Sequence, residues 1–189
     1  MRSAELLECL GETPIIAAVK SMEGLHKCLS CDCKVVFVLF GDILNIGDIV
    51  EEIKNAGKSV FVHIDLIDGL ASREIAVDFL IKYSRADGII STKQALVRYA
   101  KSKGLLTVQR FFLLDSLALE NVQKHIDSDC SDLVEILPGA MPKIITKLAS
   151  TSSIPIIAGG LISDKEDIIA ALAAGALAIS STDSSIWFM

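Results

Sequence analysis

Polar side chains stand repeatedly at the points where apolar, strand-like runs of this sequence end. The carboxyl ends of parallel strands meet at one edge of a sheet, and a closed barrel of such strands holds its ligand chemistry there. We therefore expect these side chains to line one common site. They are Lys20, Asp42, His63, Asp65, Ser91, Thr92, Gln109, Arg110, Glu135, Ser180 and Ser181.

His63 and Asp65 are two residues apart at the end of the predicted strand 59–65, which places them on one face of that strand. A histidine beside a carboxylate can act as a general base, bind a metal or hydrogen-bond to a ligand. The alternative is a buried pair that only holds a loop in place. Strand-end position favours a role in ligand binding.

Arg110 follows Gln109 directly, so one of the two faces the mouth of the barrel and the other faces the helices. A guanidinium group suits a phosphate, which it can bind through two parallel hydrogen bonds. Glu135 lies in the apolar run LVEILPG and needs a partner there, which Arg110 or Lys20 can supply. A salt bridge to Glu135 or Asp115 is the alternative role for Arg110.

The stretch 154–182 reads IPIIAGGLISDKEDIIAALAAGALAISST, which predicts strand, double glycine, alanine-rich helix and strand. Two glycines permit positive φ and let a ligand approach the backbone amides closely. In (β/α)8 barrels the loops after strands seven and eight often bind phosphate through amides and hydroxyls. A plain tight turn is the alternative. The predicted phosphate-binding residues are Gly159, Gly160, Ser180, Ser181 and Thr182.

Three of the five cysteines form the motif CLSCDC, at Cys28, Cys31 and Cys33. Thiolates this close can bind zinc or an iron–sulfur cluster. The spacing is not a standard four-ligand set, no histidine follows closely, and the motif falls at the opposite end of the predicted barrel from the site. We therefore predict no metal. Cys9 and Cys130 are expected to be ordinary thiols, and the odd count fits a reducing compartment.

Eight apolar runs alternate with helix-like segments along the chain, a pattern that predicts a parallel sheet with helices outside. Eight strands is the number that closes a barrel. We predict an α/β fold, a small TIM (β/α)8 barrel formed by one domain over residues 1–189. The last helix should be missing or truncated, because only seven residues follow Thr182. A doubly wound open sheet is the alternative, but its glycine-rich fingerprint after strand one is absent.

The chain has 189 residues, of which 51% are hydrophobic, and a mean hydropathy of +0.52. This composition excludes a disordered chain. No apolar run is long enough to cross a bilayer, and the opening MRSAELLECLGETP lacks the apolar core of a signal peptide. We therefore expect a cytoplasmic protein without a membrane partner. The net charge of −6 argues against a broad nucleic-acid footprint but leaves room for a local basic patch.

Five motifs, spread in order over nearly the whole chain, together with Trp187, resemble the glycerol uptake operon antiterminator regulatory proteins. The motifs are VHIDLIDGL (Val62–Leu70), DGIISTK (Asp87–Lys93), VQRFFLLD (Val108–Asp115), VEILPGAMP (Val134–Pro142) and IPIIAGGLI (Ile154–Ile162). The motif CLSCDC departs from what we associate with this family.

The resemblance implies a cytosolic transcription regulator that binds glycerol 3-phosphate and then acts on leader mRNA, so that a terminator is read through. It implies a non-enzymatic protein with no catalytic residue and no cofactor besides this effector. The ligand-binding residues predicted from strand ends and matching motifs are Lys20, His63, Asp65, Ser91, Gln109, Arg110, Glu135 and Gly139. The net negative charge of the chain does not indicate which surface would bind RNA.

Two alternatives remain at this stage. A phosphate-handling enzyme of the aldolase, isomerase or phosphodiesterase type could use His63, Asp65 and Glu135 for acid–base chemistry and Lys20 as an aldolase lysine. A flavin- or metal-binding barrel is the other. Fold alone does not separate these functions.

The final residues Ile186-Trp187-Phe188-Met189 are too few for an amphipathic helix across the gap between strands eight and one. They either fold back over that gap together with the opening helix 2–10 or leave an apolar patch exposed. Exposed patches of this kind usually mark an interface, most often with a second copy. We therefore predict a homodimer, with a monomer plugged by Trp187 as the alternative.

Overall fold

The computed structural model describes residues 3–128 and 130–189, with residue 127 described by its backbone alone. Eight parallel strands pair in chain order, and the first pairs with the last to close a barrel. The strands are β1 Ile15–Val19, β2 Val35–Val38, β3 Ser59–His63, β4 Gly88–Ser91, β5 Leu106–Phe112, β6 Leu133–Leu137, β7 Ile156–Gly159 and β8 Ala178–Ser181. The predicted TIM barrel is confirmed.

One helix precedes β1, and one helix follows each strand from β1 to β7. The helices are α1 Ser3–Glu12, α2 Met22–Leu29, α3 Ile46–Asn55, α4 Glu74–Tyr83, α5 Gln94–Ser102, α6 Ser116–Asp127, α7 Pro142–Ala149 and α8 Lys165–Ala173. Ser21, Asp115 and Asp164 cap α2, α6 and α8 by accepting hydrogen bonds from first-turn amides. No helix among the described residues is long and apolar enough to span a membrane.

Side chains from alternate strand positions fill the barrel interior, and the others pack under the helices. Phe37 and Phe61 are fully buried inside, with ring centroids 5.8 Å apart. Leu6 and Leu10 of α1 join the same interior cluster, so α1 closes the amino end of the barrel. The alternative in which this opening helix covers the gap between β8 and β1 is not what the structure shows, because its apolar stripe packs on the interior instead. The predicted start at Arg2 lies outside the described residues.

The place of a last helix is taken by a 3-10 turn, Ile186–Phe188, as the predicted truncation requires. Ile186 and Trp187 are buried there, and the Trp187 Nε1 donates a hydrogen bond to the Ser181 carbonyl at 2.8 Å. These two residues therefore plug the flank, and they do not form the exposed patch on which the homodimer prediction rested. Phe188 and Met189 remain exposed. The homodimer itself stays a prediction.

Candidate functional site

A buried carboxylate lies at the centre of the mouth. Glu135 of β6 is fully buried, and its Oε2 accepts a hydrogen bond from the Nε of Arg110 at 2.5 Å. Its Oε1 accepts a hydrogen bond from the Oγ of Ser180 on β8, also at 2.5 Å. The register pairs Arg110 with Glu135 across β5 and β6. A buried ion pair is tolerated when its lone pairs are satisfied in this way.

Gly159 of β7 stands between the two strands that this network joins. A Cβ at this position would lie 2.6 Å from both the Oε1 of Glu135 and the Oγ of Ser180. No real side chain fits at that distance, so the missing Cβ is what lets Glu135 reach Ser180 across β7. Gly159 is therefore part of the packing of the site, and its φ is not positive.

The loop after β7 contains two consecutive residues in the left-handed region, Gly160 at φ 71° and Leu161 at φ 58°. The sequence allowed positive φ at Gly159 and Gly160, and in the structure Gly160 adopts it while Gly159 does not. A leucine at positive φ costs energy, and such strain concentrates at functional sites. Leu161 is also 76% exposed. The amides of Gly160, Leu161 and Thr182 donate to no acceptor in the part of the chain that the structure describes.

These groups surround a cavity of about 150 Å³. Its polar lining comes from the Arg110–Glu135–Ser180 network on one side and from the two loops after β7 and β8 on the other. The lining residues are Ala18, Leu39, Arg110, Glu135, Leu137, Gly160, Leu161, Ile162, Ser180, Ser181, Thr182 and Asp183. Because a cavity of about 10–15 Å³ already holds one water, this one has room for a small polar ligand.

Lys20 lies just outside this cavity. It lines a neighbouring cavity of about 180 Å³ that shares Ala18 and Thr182 with the first. The N-terminus of α2, capped by Ser21, forms one wall of this second space. Lys20 is exposed and forms no ion pair with the described residues. It therefore adds a positive charge at the entrance and does not contact Glu135.

His63 is 2% exposed at the end of β3, and its Nδ1 has no hydrogen-bond partner among the described residues. Burial lowers its pKa to about 4, with a further contribution from the charge of Arg110. The ring is therefore neutral at neutral pH. His63 does not line the cavity.

Asp65 does not share a strand face with His63, because β3 ends at His63 and Asp65 lies in the 3-10 turn Ile64–Leu66. Its carboxylate is 3.9 Å from the His63 Nδ1 and accepts hydrogen bonds from Ser91 Oγ, Thr92 Oγ1 and the Thr92 amide. Burial opposes ionisation of Asp65, but these hydrogen bonds outweigh it and lower its pKa. Asp65 thus holds the loop after β4.

Three other predicted ligand contacts lie away from the cavity. Gln109 faces the helices, since its neighbour Arg110 faces the interior, and its Nε2 donates to the Ser91 carbonyl at 3.2 Å. Ser91 is on the same outer side, bonded to Asp65. The Gly139 amide donates to the carbonyls of Gly159 and Gly160, and these hydrogen bonds hold the loop after β7 in place.

Comparisons with known proteins agree with this fold. The chain is 40% identical over 182 residues to the uncharacterized protein YgcP of Escherichia coli K12, covering 96% of this chain and 95% of the other. Among solved structures, a glycerol uptake operon antiterminator regulatory protein from Listeria monocytogenes superposes with a TM-score of 0.87 at 33% identity, covering 92% of this chain and 94% of that chain. A glycerol uptake operon antiterminator-related protein from Thermotoga maritima gives 0.81 at 37% identity, covering 93% and 98%.

The family model for the glycerol-3-phosphate responsive antiterminators matches residues 15–187. The chain belongs to this family. The resemblance inferred from the sequence motifs is thereby confirmed, and the matched range runs from β1 to Trp187, so it includes every strand of this antiterminator barrel.

Leu161 and Asp183 are two of the six lining residues that sequence reasoning missed. Leu161 gave no signal, because nothing in a leucine predicts positive φ. Asp183 directly follows the hydroxyl residues Ser180–Thr182 in sequence, so its place in the cavity lining could have been predicted from that position. Its Oδ1 accepts hydrogen bonds from the amide and hydroxyl of Ser185, which lower its pKa. The carboxylate is thus engaged with the loop after β8.

The CLSCDC cysteines of this family member are all free thiols. Within residues 3–128 and 130–189, no group of three or more His, Cys, Asp and Glu side chains has the arrangement of a metal site. The cluster lies between α2 and β2, and it is taken up separately below.

Proposed function

We propose that this chain binds glycerol 3-phosphate in the cavity at the barrel mouth and, in that state, acts on the leader mRNA of glycerol-metabolism genes in the cytoplasm. Membership of the antiterminator family supports the effector and the RNA target. The observation that carries the proposal is the cavity in which unbonded amides of the loops after β7 and β8 face a buried Arg110–Glu135 pair.

The two sides of the cavity suit the two halves of the ligand. The amides of Gly160, Leu161 and Thr182, with the Thr182 hydroxyl, offer hydrogen-bond donors to a phosphate. Glu135 keeps acceptor capacity beyond its bonds to Arg110 and Ser180, because an ionised carboxylate has about four lone-pair sites. The glycerol hydroxyls can donate to it. Arg110 neutralises Glu135 and so limits its repulsion of the phosphate.

The cavity also disfavours the enzyme alternative. Glu135 is held by two hydrogen bonds, and neither His63 nor Lys20 lines the cavity. An acid–base residue must reach the proton that it moves, and an aldolase lysine must reach the carbonyl carbon. We therefore propose a binding protein that does not turn over its ligand. Steady product formation from triose phosphates or phosphoesters, abolished in Glu135→Gln, would decide for the enzyme.

Calorimetric titration and thermal shift with glycerol 3-phosphate, glycerol and inorganic phosphate test the ligand. Ligand at about a hundred times its dissociation constant stabilises the fold by roughly 2.7 kcal/mol. Thr182→Ala should weaken glycerol 3-phosphate binding at least tenfold, since it removes a hydroxyl from the phosphate side. Thr151→Ala, in the turn after α7, is the matched control. Equal affinity for glycerol would contradict the phosphate assignment.

Read-through of a leader terminator during transcription in vitro tests the RNA half of the proposal. Glycerol 3-phosphate together with the protein should raise the fraction of full-length transcript, and the protein with Thr182→Ala should need more ligand. Read-through that ignores the ligand would separate the RNA activity from the cavity.

A further inference from the structure

The cysteine cluster is the most highly organised group of reactive side chains outside the mouth. Cys28 ends the buried face of α2, and Cys31 and Cys33 follow in the connection to β2. Their exposed fractions are 0%, 5% and 1%. The Cys31 thiol lies against the end of α2, within hydrogen-bonding distance of the Cys28 carbonyl. Cys31 is the middle member of the motif and the most accessible of the three.

A buried lysine faces this cluster. Lys58, just before β3, is 6% exposed, and its Nζ donates to the carbonyls of Cys31 and Cys33 at 2.6 and 2.8 Å. The same Nζ is 4.0 Å from the Cys31 sulfur. No carboxylate among the described residues forms an ion pair with Lys58. A buried ammonium favours an anion beside it, and the Cys31 thiol is the acidic group in reach.

The surroundings favour the thiolate at Cys31 and the protonated thiol at Cys28 and Cys33. Hydrogen bonding from Cys28 and Cys33, together with the charge of Lys58, lowers the pKa of Cys31. Hydrogen bonding to Cys31 and burial raise the pKa values of Cys28 and Cys33. When protonated, Cys31 donates to the Cys28 carbonyl at 3.1 Å. Loss of that proton leaves a thiolate 4.0 Å from the Lys58 ammonium.

We propose that Cys28 and Cys31 form a redox-active dithiol site, with Lys58 as the positioning residue that favours the Cys31 thiolate. The oxidant class is a peroxide. The Cys31 thiolate attacks one peroxide oxygen, breaks the O–O bond and becomes a sulfenic acid, while the other oxygen leaves as hydroxide and takes a proton. The Cys28 sulfur then attacks the Cys31 sulfur, and the second oxygen leaves as water. Two electrons pass from the thiols to the peroxide, and one disulfide and two waters result.

Cys28 is the chosen partner because C-x-x-C spacing closes a disulfide readily, whereas the C-x-C spacing of Cys31 and Cys33 closes a smaller ring. Cys33 has another role. Its Sγ donates to the Trp187 carbonyl at 3.6 Å, which ties the cluster to the C-terminal plug.

Peptide mapping of the full wild-type chain tests the site without any substitution. Reduced protein is exposed to an equimolar amount of hydrogen peroxide, its free thiols are alkylated, and disulfide-linked peptides are identified by mass spectrometry. We expect a Cys28–Cys31 disulfide, reversed by dithiothreitol, to form at least tenfold faster than any oxidation of Cys9 or Cys130. Oxidation of Cys130 first, or a Cys31–Cys33 bond, overturns the proposal.

Three variants assign the roles, with circular dichroism confirming that each is folded. Cys28→Ala should stop at a sulfenic acid on Cys31, which dimedone captures. Cys33→Ala is the matched control and should still form the disulfide. Lys58→Met should shift the pH profile of Cys31 alkylation to higher pH and slow the reaction about tenfold or more at neutral pH. An unchanged profile would remove Lys58 from the site, and a peroxide-stable wild-type cluster would remove the site itself.

Discussion

At the scale of single residues, the hydrogen-bond network at the barrel mouth depends on the absence of a side chain at Gly159. Glutamate, serine and arginine at strand ends are visible in the sequence, but their convergence depends on a strand between them that has no side chain at that point. Glu135 and Ser180 lie on β6 and β8, and they meet only because the Cβ that would separate them is missing. A double glycine in sequence suggests a turn, and here its first member is a packing residue.

Gly159→Ala should therefore lower the free energy of unfolding by about 2 kcal/mol, since overpacking in a rigid site forces neighbours apart. It should also weaken glycerol 3-phosphate binding, because Glu135 and Ser180 have to move. Urea denaturation and calorimetric titration measure the two effects. Gly11→Ala is the matched control, since nothing lies within 4 Å of its added Cβ and the residue is helical. A Gly159→Ala protein as stable as the control would contradict the packing role.

At the scale of elements, the structure differs from the sequence-based predictions mainly in the loop after β7 and in the C-terminal turn. Strand and helix positions followed from apolar runs and stop signals, because those patterns reflect local backbone preferences and burial. Leu161 and the packing of Trp187 did not follow, because they depend on what lies opposite in space. His63 and Asp65 illustrate the same limit, since the strand ends two residues earlier than predicted, at His63, and Asp65 therefore lies in a turn.

Leu161→Gly should raise the free energy of unfolding by about 1 kcal/mol, because glycine adopts positive φ without the cost that leucine bears. Leu161 is largely exposed, so little packing is lost. Leu44→Gly is the matched control, an exposed leucine whose φ is not positive, and it should be neutral or slightly destabilising. Equal effects of the two changes in urea denaturation would argue against strain at Leu161.

Trp187→Ala should lower the free energy of unfolding by about 3–5 kcal/mol, the usual range for a buried aromatic side chain. Phe188→Ala, one residue further along and 58% exposed, should change it by less than about 0.5 kcal/mol. Trp187 is the sole tryptophan, so its blue-shifted emission reports the plug directly. Light scattering on the same samples measures the mass. A monomer with blue-shifted emission would rule out the homodimer, and a dimer would have to use another surface.

At the scale of the whole molecule, fold class and site location were predictable to different depths. Eight repeats of one strand and one helix define a closed barrel, because a parallel sheet needs helices on its outside and eight strands close it. The same reasoning located the mouth but not its lining. Arg110, Glu135, Gly160 and the Ser180–Thr182 run do line the cavity, whereas Gln109 and Ser91 face the helices. Alternation along a strand shows that two adjacent residues face opposite sides of the sheet. It does not show which of the two faces the barrel interior and which faces the helices.

The stability of the whole fold should fall as pH drops from about 6.5 to about 4. Burial lowers the pKa of both His63 and His125 from 6.5 to about 4, so in this window the unfolded chain binds more protons than the folded one. Stability present above pH 6.5 is then lost at up to about 1.4 kcal/mol per pH unit for each histidine. Asp65, with its pKa lowered from 3.8, acts only below this window.

Urea denaturation between pH 7 and pH 4.5 measures this slope. His63→Asn and His125→Asn should each reduce it, and His26→Asn is the control because the His26 side chain is 63% exposed. A slope that is the same in all four proteins would mean that neither buried ring resists protonation.

Closure of the barrel requires β1 to wait, during synthesis, for its partner strand β8 at the other end of the chain. β1 pairs with β8 through contacts such as Ile15 with Ile179, which are 164 positions apart. At roughly 5–20 residues per second, a ribosome needs about ten to thirty seconds to add the intervening chain. During that interval the apolar edge of β1 has no partner on one side, and an unpaired edge is a template for pairing with other chains. The nascent chain is therefore most exposed to aggregation just before its last strand emerges.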